Sequence, residues 1–538
     1  MKLKFLSIVA LFLPLISMAQ DAAEKSIDEK INDFFMPIAD GWESLVLTPI
    51  NIAGHNIPVV LILLVVGATF FTVYFKFPGI TKFPLAIRVV RGKYEAVEKY
   101  GVEKVELHMT ESGDIPDTIR DESEEGEVSH FQALATAVSG TVGLGNIAGV
   151  AVAIAVGGPG ATFWMVVCGL IGMSTKFVEC TLGVKYRDVG ADGTVYGGPM
   201  YYLSKGIKER GWTRLGKFLA VVFAVLCVGA SFGGGNAFQS NQAAVQLSSM
   251  LNLEGGATGL MIGVVLAVLV GIVIIGGIKK IASVTEKIVP FMAGIYVLAS
   301  LVIIFANIKY IGDAFSMIFA GAFSPEAGLG GILGVIIVGF QRAAFSNEAG
   351  AGSAAIAHSA VKTRYPASEG IVALLEPFID TVVICTMTAL VIIFFNMDTA
   401  AFDYGNAVGS TVQINATGAY VGGVDLTSMA YDSVIPGFKY ILTIAIILFA
   451  FSTMISWSYY GLQSWKYLFG RGKVADIIYK VLFLLFVVIG AAATLDAVIK
   501  FSDAMILALV FPNMIGLLIL FPKVKKSLQR YLDAIKIY

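Results

Sequence analysis

Charged residues are scarce in this chain of 538 residues. They make up 14% of it, against about 25% in an ordinary soluble domain. A soluble fold of this size needs more polar surface to stay dispersed, and a disordered chain needs more charge and less apolar content. The scarcity therefore excludes a soluble enzyme and a disordered protein.

Histidine and cysteine are also few, with four of each. No two histidines are spaced to share a metal ion, so hydrolytic metal chemistry has little to work with. The cysteines all lie in apolar stretches and are predicted to be small buried hydrophobes. Basic and acidic residues nearly balance at 38 and 39, for a net charge of −1, and this balance gives no indication of nucleic-acid binding.

Apolar residues and glycine are abundant. The chain is 57% hydrophobic with 58 glycines, and its mean hydropathy is +0.79. Eleven apolar segments are long enough to cross a bilayer as helices, which predicts one multispanning body. The predicted spans are 57–77, 132–156, 160–183, 216–240, 258–277, 287–306, 328–350, 369–395, 437–457, 476–495 and 503–521.

The N-terminus has the parts of a secretory signal. Two lysines precede a short apolar core over 5–16, and a small-x-small site ends at Ala19. This pattern predicts a signal peptide over 1–19, with an uncleaved anchor as the alternative. Cleavage places the mature N-terminus outside the cytoplasm, at the start of an extracytoplasmic segment over 20–56.

Loop charge predicts the orientation. With the N-terminus outside, the predicted inner loops hold most of the lysine and arginine, as the positive-inside rule requires. The predicted outer loops are nearly free of them, with Lys309 and Lys500 as exceptions, and there is none from Tyr365 to Phe438. We therefore expect the tail, 522–538, to lie in the cytoplasm.

The first inner loop, 78–130, contains a mixed and mostly acidic run over 91–128. We interpret the run as a solvated cytoplasmic insertion. A regulatory role is the alternative, although nothing in the run specifies one. Signal, spans and loop charge together predict a protein of the bacterial cytoplasmic (inner) membrane.

The second span carries a cluster of glycine and polar residues, SGTVGLGNIAG over 139–149. Close helix packing through small residues is the simpler explanation, but it does not account for Asn146 directly after Gly-x-Gly. A break in the helix would free backbone carbonyls for a cation and aim amides at an anion. We therefore predict a binding site here.

The seventh span carries the second cluster, GFQRAAFSNEAGAGS over 339–353. Charged residues deep in an apolar span are costly, and Arg342 and Glu348 are too far apart in sequence to pair on a straight helix. A structural or gating ion pair and direct substrate contact both remain open for them. Their candidate partners are Thr175, Lys176 and Glu179. The candidates for substrate contact are Phe345, Ser346 and Asn347.

Two further spans carry polar groups. Asn236 and Gln239 follow three glycines in the fourth span and could bind a polar solute, although a capped helix end would also explain them. In the ninth span, Ser452 and Thr453 could coordinate a hard cation such as sodium. Hydroxyls that satisfy local carbonyls are the common alternative.

The two glycine-rich clusters occupy matching positions. Among the ten spans after the first, they fall in the first and the sixth, which open two five-helix halves over 131–306 and 307–521. An odd number of helices inverts the second half, and matching interrupted helices indicate a transporter's midplane site.

Six stretches carry a resemblance to a known family. They are TAVSGTVGLGNIAGVAVAIAVGGPGATFWM (136–165), VYGGPMYYL (195–203), GGIKKIASVTEKIVPFMAGIY (276–296), FSNEAGAGSAAIAHSA (345–360), EPFIDTVVICTMTAL (376–390) and AFSTMISWSYYG (450–461). Over roughly 57–525 the chain resembles the alanine or glycine:cation symporters, also called sodium:alanine symporters. VGLGN is similar to the first helix of leucine-transporter-type sodium symporters, in which interrupted helices form a midplane site.

The resemblance implies an all-α integral membrane protein with about eleven transmembrane helices. These would form a five-plus-five inverted repeat with broken first and sixth core helices, plus one extra N-terminal helix at 57–77. It also implies import of a small neutral amino acid together with sodium ions.

Site residues follow from the same resemblance. The substrate-binding residues would be Gly143, Leu144, Gly145, Asn146, Gln239, Phe345, Asn347 and Trp457. The sodium ligands would be Ser139, Val142, Asn146, Ser452 and Thr453.

We therefore expect a sodium-coupled symporter that imports alanine or glycine by alternating access. The expected partners are the amino acid, sodium and the lipid bilayer, with no nucleic acid and no obligate protein partner. A proton-coupled amino-acid transporter, which could use Glu348 or Asp380, is the alternative. A membrane-embedded enzyme and a passive channel are further alternatives.

Overall fold

The computed structural model describes residues 25–537 apart from 53–54, 100, 102–125, 191–192, 254 and 325–330. The predicted signal peptide lies outside the described residues, as does most of the acidic run over 91–128.

The described residues are mostly helical. The helices are α1 (Ile27–Val46), α2 (Val59–Tyr74), α3 (Pro78–Thr81), α4 (Phe83–Val90), α5 (His130–Thr141), α6 (Val150–Gly157), α7 (Gly160–Lys185), α8 (Pro199–Tyr201), α9 (Thr213–Phe232), α10 (Phe238–Leu251), α11 (Thr258–Ile274), α12 (Gly277–Ala306), α13 (Ile311–Phe323), α14 (Gly331–Asn347), α15 (Ala354–His358), α16 (Pro366–Ala373), α17 (Leu375–Pro377), α18 (Thr386–Thr399), α19 (Gly423–Val434), α20 (Phe438–Phe469), α21 (Lys473–Ala492), α22 (Leu495–Ala508) and α23 (Val510–Ile537). Wider π-helical turns occupy Gly145–Gly149, Tyr202–Gly206, Gly233–Ala237 and Phe378–Cys385, and a short 3₁₀ turn occupies Ile308–Tyr310.

Strands are short and lie between the helices. Three antiparallel ribbons are formed by β1 (Pro49–Ile52) with β2 (His55–Pro58), β3 (Asp188–Val189) with β4 (Val195–Tyr196), and β5 (Ala407–Val408) with β6 (Thr411–Gln413) and β7 (Tyr420–Gly422).

Seven helical stretches in the described residues are long and apolar enough to cross a membrane, and an eighth is a pair bent by 49° between α5 and α6. Three shorter apolar helices, α2, α11 and α14, coincide with three further predicted spans. The chain is thus a multi-pass helical membrane protein. The count of eleven and the inverted repeat stay predictions.

The interior is organised around two long helices. α7 packs against α2, α14, α15 and α16, while α20 packs against α5, α9, α10 and α12. Both helices are largely buried along their length. They therefore hold the bent and interrupted segments between them.

Both glycine-rich clusters interrupt their helices. After α5 the backbone leaves the helix at residues 142–144, where Val142 has ψ 87°, and re-enters it through a π-helical turn. We call residues 142–144 the first break. After α14 the chain is non-helical at 348–353, the second break, and Glu348 there has a φ of +55°. A non-glycine residue in this left-handed region costs roughly 1–2 kcal/mol, so surrounding contacts must hold it.

The segment predicted to precede the first span contains a helix, α1, that lies across α22. Ser26 and Glu29 form a capping box at its start. Phe35 meets Phe501 edge to face with ring centroids 5.0 Å apart, and Lys500 donates to Asp40 over 3.0 Å. These contacts seat an amphipathic helix on one end of the bundle.

Helix packing gives a direct stability test. A methyl group added at Gly490 in α21 would overlap the backbone of Ala237 and lie 2.6 Å from the Ser240 hydroxyl. Because overpacking a dense interior typically costs about 1–3 kcal/mol, Gly490→Ala should lower the melting temperature of the purified protein in detergent. Gly294→Ala in α12 is the matched control, since no atom lies within 4 Å of its added methyl group. Equal melting temperatures for the two variants would contradict this packing.

Candidate functional site

The two breaks face each other inside the protein. A Cβ placed on Gly145 would lie 3.4 Å from the ring of Phe345, in the last turns of α14. That ring meets Phe238 edge to face with centroids 5.0 Å apart. The structure thus brings three of the sequence clusters, from the second, fourth and seventh spans, to one place.

Asn146 is the hub of the first break. Its Oδ1 accepts a hydrogen bond from the Gly143 amide at 2.9 Å, and its Nδ2 donates to Asp380 Oδ1 at 2.7 Å. The Asn146 carbonyl accepts from Thr388 at 2.8 Å. One side chain therefore holds the non-helical backbone in place and ties it to a buried carboxylate.

Asp380 receives donors from both interrupted helices. Besides Asn146, Ser346 donates to it at 2.8 Å and Thr381 donates at 2.7 Å. All three donors are neutral, and the carboxyl group is fully buried. Sequence reasoning reached Asp380 only as a possible proton acceptor, and missed Thr381 and Thr388. The available signal was a lone aspartate in the apolar stretch EPFIDTVVIC.

Gln239 bridges the first break and the π-helical turn before α10. Its Oε1 accepts from the Leu144 amide at 3.0 Å, and its Nε2 donates to the Gly234 carbonyl at 2.9 Å. The side chain thus uses both ends of its amide to fix two backbone segments. The alternative of a simple capped helix end does not account for the bond to Leu144, which lies 95 residues away in the chain.

The second break is held by Asn347 and Trp457. Asn347 donates to Thr381 at 2.9 Å and accepts from the Ala349 amide at 2.9 Å. The indole N–H of Trp457 donates to Glu348 at 3.0 Å, and its ring packs closely over Gly235. Trp457 therefore offers a ring surface to the site, because its donor is already used.

Three of the predicted sodium ligands, Ser139, Ser452 and Thr453, lie together in a compact group of oxygens. Ser456, which sequence reasoning missed, completes this group, which we call the oxygen cluster. Ser139 Oγ donates to the Ser452 carbonyl at 2.8 Å, and Thr453 Oγ1 donates to the Ser139 carbonyl at 2.9 Å. Ser456 Oγ lies 3.0 Å from Ser139 Oγ. Hydroxyl and carbonyl oxygens are ligands that hard cations prefer.

Two other predicted ligands lie close to this cluster in the chain. Val142 follows the last turn of α5, and its amide bonds back to Val138. Asn146 is four residues further on, with its amide oxygen turned toward Gly143. Thr453 Oγ1 packs directly against the Cα of Gly143. The oxygen cluster and the first break are therefore continuous.

The expected partners of Arg342 are wrong. Arg342 forms a buried ion pair with Asp503 of α22 and lies over the Phe345 ring, 5.6 Å from its centroid. Asp503 was not foreseen because it lies 161 residues further along the chain, and only the fold brings it near.

The three candidate partners have other contacts. Lys176 pairs with Glu376 at 3.0 Å. Glu179 accepts from the Gly350 amide at 2.9 Å, so it supports the second break. Glu348 itself accepts from Trp457 and Ser353.

All eight predicted substrate-binding residues are buried. The predicted sodium ligands are buried as well. The protein is therefore closed around the candidate site. Interrupted helices that meet around buried polar groups in a multi-pass bundle define a membrane transporter.

Comparison with known proteins names the family. The sodium:alanine symporter family matches residues 43–537, and the chain belongs to that family. It is 41% identical over 464 residues to the sodium/alanine symporter AgcS of Methanococcus maripaludis, covering 86% of this chain and 92% of AgcS. It is 37% identical to a putative sodium/proton-dependent alanine carrier, YrbD, of Bacillus subtilis, covering 76% and 82%. The protein is therefore a transporter and not an enzyme.

A solved structure, MhsT in complex with L-phenylalanine, aligns with a TM-score of 0.48 and 16% identity, covering 74% of this chain and 99% of that one. This likeness is too loose to bear on the site.

Removing the Asn146 amide tests the site. Asn146→Ala takes away the bonds to Gly143 and Asp380 and leaves a buried carboxylate short of a donor, a loss of about 1–3 kcal/mol or more. We expect uptake into proteoliposomes to fall at least tenfold per folded molecule. Asn396→Ala is the control, because Asn396 is a buried amide outside the site whose side chain donates to and accepts from the Phe402 backbone. Comparable specific uptake in both variants would contradict a special role for Asn146.

Proposed function

We propose that this protein imports a small neutral amino acid, alanine or glycine, together with sodium by alternating access. The oxygen cluster is the observation that carries the proposal. It joins the end of α5 to α20 through neutral oxygens, beside the first break. A sodium ion bound there would replace hydroxyl contacts between the two helices and stabilise the broken backbone.

The amino acid would bind at the breaks. We assign Gly143, Leu144, Gly145 and Asn146 to its carboxylate, because backbone amides without a partner in the helix attract an anion at a half-helix N-terminus. Gln239 and Asn347 would contribute polar contacts, and Phe345 and Trp457 would enclose the side chain. A rearrangement must first release amides that the closed protein uses internally.

The size of the site supports a small substrate. Added methyl groups at Gly234 and Gly235 would overlap Ile506 and Trp457, and one at Gly145 would touch Phe345. The backbone therefore lies so close to the rings of Trp457 and Phe345 that only glycine fits without displacing them. A substrate with a long side chain would have to displace these rings.

Contacts between loops support the proposed orientation. Asp188 binds Lys205 and Arg471, and Lys523 binds Glu209 at 2.8 Å, so three predicted inner segments touch. Predicted outer segments also touch: Asp28 accepts from the Gly259 and Leu260 amides, and Asn32 accepts from Thr494. These contacts agree with the predicted grouping of the loops into two sides. Loop charge and the N-terminal sequence pattern support an outer N-terminus after signal cleavage and an inner C-terminus in the cytoplasmic membrane.

Proton coupling is the second candidate. Asp380 is a buried carboxylate in the site, and the side chains of Asn146, Ser346 and Thr381 that donate to it are all neutral, so a proton could replace a cation there. The name of YrbD mentions both ions. Uptake into proteoliposomes under a sodium gradient alone, and under a pH gradient alone, separates the candidates. Alanine accumulation that ignores the sodium gradient and follows the pH gradient would reject sodium coupling.

Coupling should appear as a shift in sodium affinity. Thr453→Ala removes one oxygen of the cluster, and we expect the sodium concentration for half-maximal uptake to rise about tenfold, equivalent to about 1.4 kcal/mol. By linkage, the variant should also weaken the effect of sodium on alanine binding.

Thr443→Ala is the matched control on the same helix. Its hydroxyl donates to the Lys439 carbonyl and accepts from Gln246, away from the cluster. The oxygen cluster would not be the sodium site if Thr453→Ala left the sodium concentration for half-maximal uptake unchanged. The same conclusion would follow if Thr443→Ala raised that concentration equally.

A further inference from the structure

A second set of buried charges lies away from the candidate site. It alternates between acidic and basic side chains over six residues and ends at Lys176 within α7. We call it the inner charge chain: Glu98, His130, Glu369, His358, Glu376 and Lys176.

His130, at the start of α5, is held between two carboxylates. Its Nδ1 faces Glu369 and its Nε2 faces Glu98, both in direct contact. When both carboxyl groups are ionised they can only accept hydrogen bonds, so both ring nitrogens donate and the ring is the imidazolium cation. Its side chain is only 11% exposed.

The chain continues through Glu369 to His358. The other oxygen of Glu369 contacts His358 Nδ1, and His358 Nε2 lies 3.5 Å from Glu376. Glu376 accepts from Lys176 at 3.0 Å. The three acidic and three basic side chains balance in charge. The set is therefore neutral overall while both histidines are in the positively charged imidazolium form.

These residues join the halves of the two interrupted helices that face the predicted inner side. His130 begins α5, which precedes the first break, and His358 ends α15, which follows the second. Glu98 is clamped by Tyr531 of α23, and Arg364 donates its amide to the Glu98 carbonyl at 3.3 Å. The chain therefore links both broken helices to the inner loop and the tail.

We propose that the inner charge chain is the inner gate of the transporter, and that the gate opens with release of a proton from His130. This rests on the proposed alternating access, because opening the inner side requires α5 to separate from Glu98 and Glu369. Once exposed to water, a histidine has an ordinary pKa of about 6.5. At a higher cytoplasmic pH it would then lose its proton.

The direction of the pH effect on the gate follows from linkage. The closed gate binds one proton more than the open gate, so low inner pH favours closure and rising pH favours opening. Other charged groups also lie near His130 and the residues packed around it. They are Arg91, Glu95, Lys99 and Lys362 in the adjoining cleft, Glu286 on Gln132, and Arg530 over Tyr365.

Histidine suits this role better than a permanent cation. A lysine or arginine in its place would hold the carboxylates equally at every physiological pH. A metal does not account for the arrangement, since the described residues contain no group of three or more His, Cys, Asp or Glu side chains placed to ligate one. The geometry matches a proton-dependent contact at His130, which lies between Glu98 and Glu369.

The distance between α5 and α7 reports the gate directly. Spin labels on Phe131→Cys and Ile80→Cys use exposed positions, the second on α3, which packs against α7. The four native cysteines are buried. In the full chain without sodium or amino acid, we expect the ratio of long to short distances to rise between pH 6.5 and 8.5, by up to about tenfold per pH unit.

The variant that tests the mechanism is His130→Gln in this labelled background. It should favour the long distance and lose the pH dependence. Lys523→Gln is the control, because it removes an ion pair of the same face in which hydrogen bonding from Lys523 lowers the pKa of Glu209. It should keep the pH dependence. A distance ratio indifferent to pH, or equally pH-dependent in His130→Gln, would overturn the proposal.

Two further measurements keep the outcome clear. If His130→Gln does not fold, Glu98→Gln removes one carboxylate from the same contact and must favour the long distance at pH 6.5. If it does not, the proposal fails. Alanine flux is measured separately: a pH-dependent distance without sodium-driven alanine uptake would reject the proposed function and keep the gate.

Discussion

The hydrogen bond between the Asn146 side chain and Asp380 is the contact on which the centre of this protein depends. A helix interrupted inside a membrane exposes backbone groups that water cannot satisfy, and each costs several kcal/mol if left unpaired. Asn146 meets this demand in two directions, toward Gly143 in its own break and toward the carboxylate that also binds Ser346 of α14. One amide therefore makes the two breaks a single unit.

This unit explains why polar residues are tolerated in so apolar a chain. Gln239, Asn347 and Thr381 each bond to backbone or to another buried polar group. These hydrogen bonds offset the cost of removing their polar groups from water. The arrangement is also changeable, because amides now used internally could bind a carboxylate, and hydroxyls of the oxygen cluster could turn to a cation. A transporter needs internal contacts and ligand contacts of similar free energy, since a site that binds its substrate too tightly does not release it.

Charged contacts frame the unit at both ends. The ion pair of Arg342 with Asp503 lies over Phe345 on one side, near the end covered by α1. The inner charge chain lies on the other side, where it clasps α5 and α15. Buried ion pairs contribute little net stability but break at high cost once one partner is removed. They are therefore suited to define two discrete states.

Hydropathy and glycine placement determined much of this protein from sequence alone. Long apolar runs predicted the membrane helices, and glycine beside Asn146 and Asn347 predicted where helices would be interrupted, because both signals are local. Motif resemblance led to the family, which the comparisons confirm. The places where α5 and α14 end, and the closeness of their polar residues to glycine, could be predicted from the sequence alone.

Only the tertiary structure decided which distant groups meet. Arg342 pairs with Asp503 and not with any of the expected residues. Lys176 pairs with Glu376. Asp380, which the sequence offered only as an alternative proton acceptor, lies at the centre of the hydrogen-bond network. His130 and His358 looked unrelated in a chain with four histidines, yet they share Glu369. Pairing of this kind depends on how helices pack across more than a hundred residues, and no local pattern carries that information.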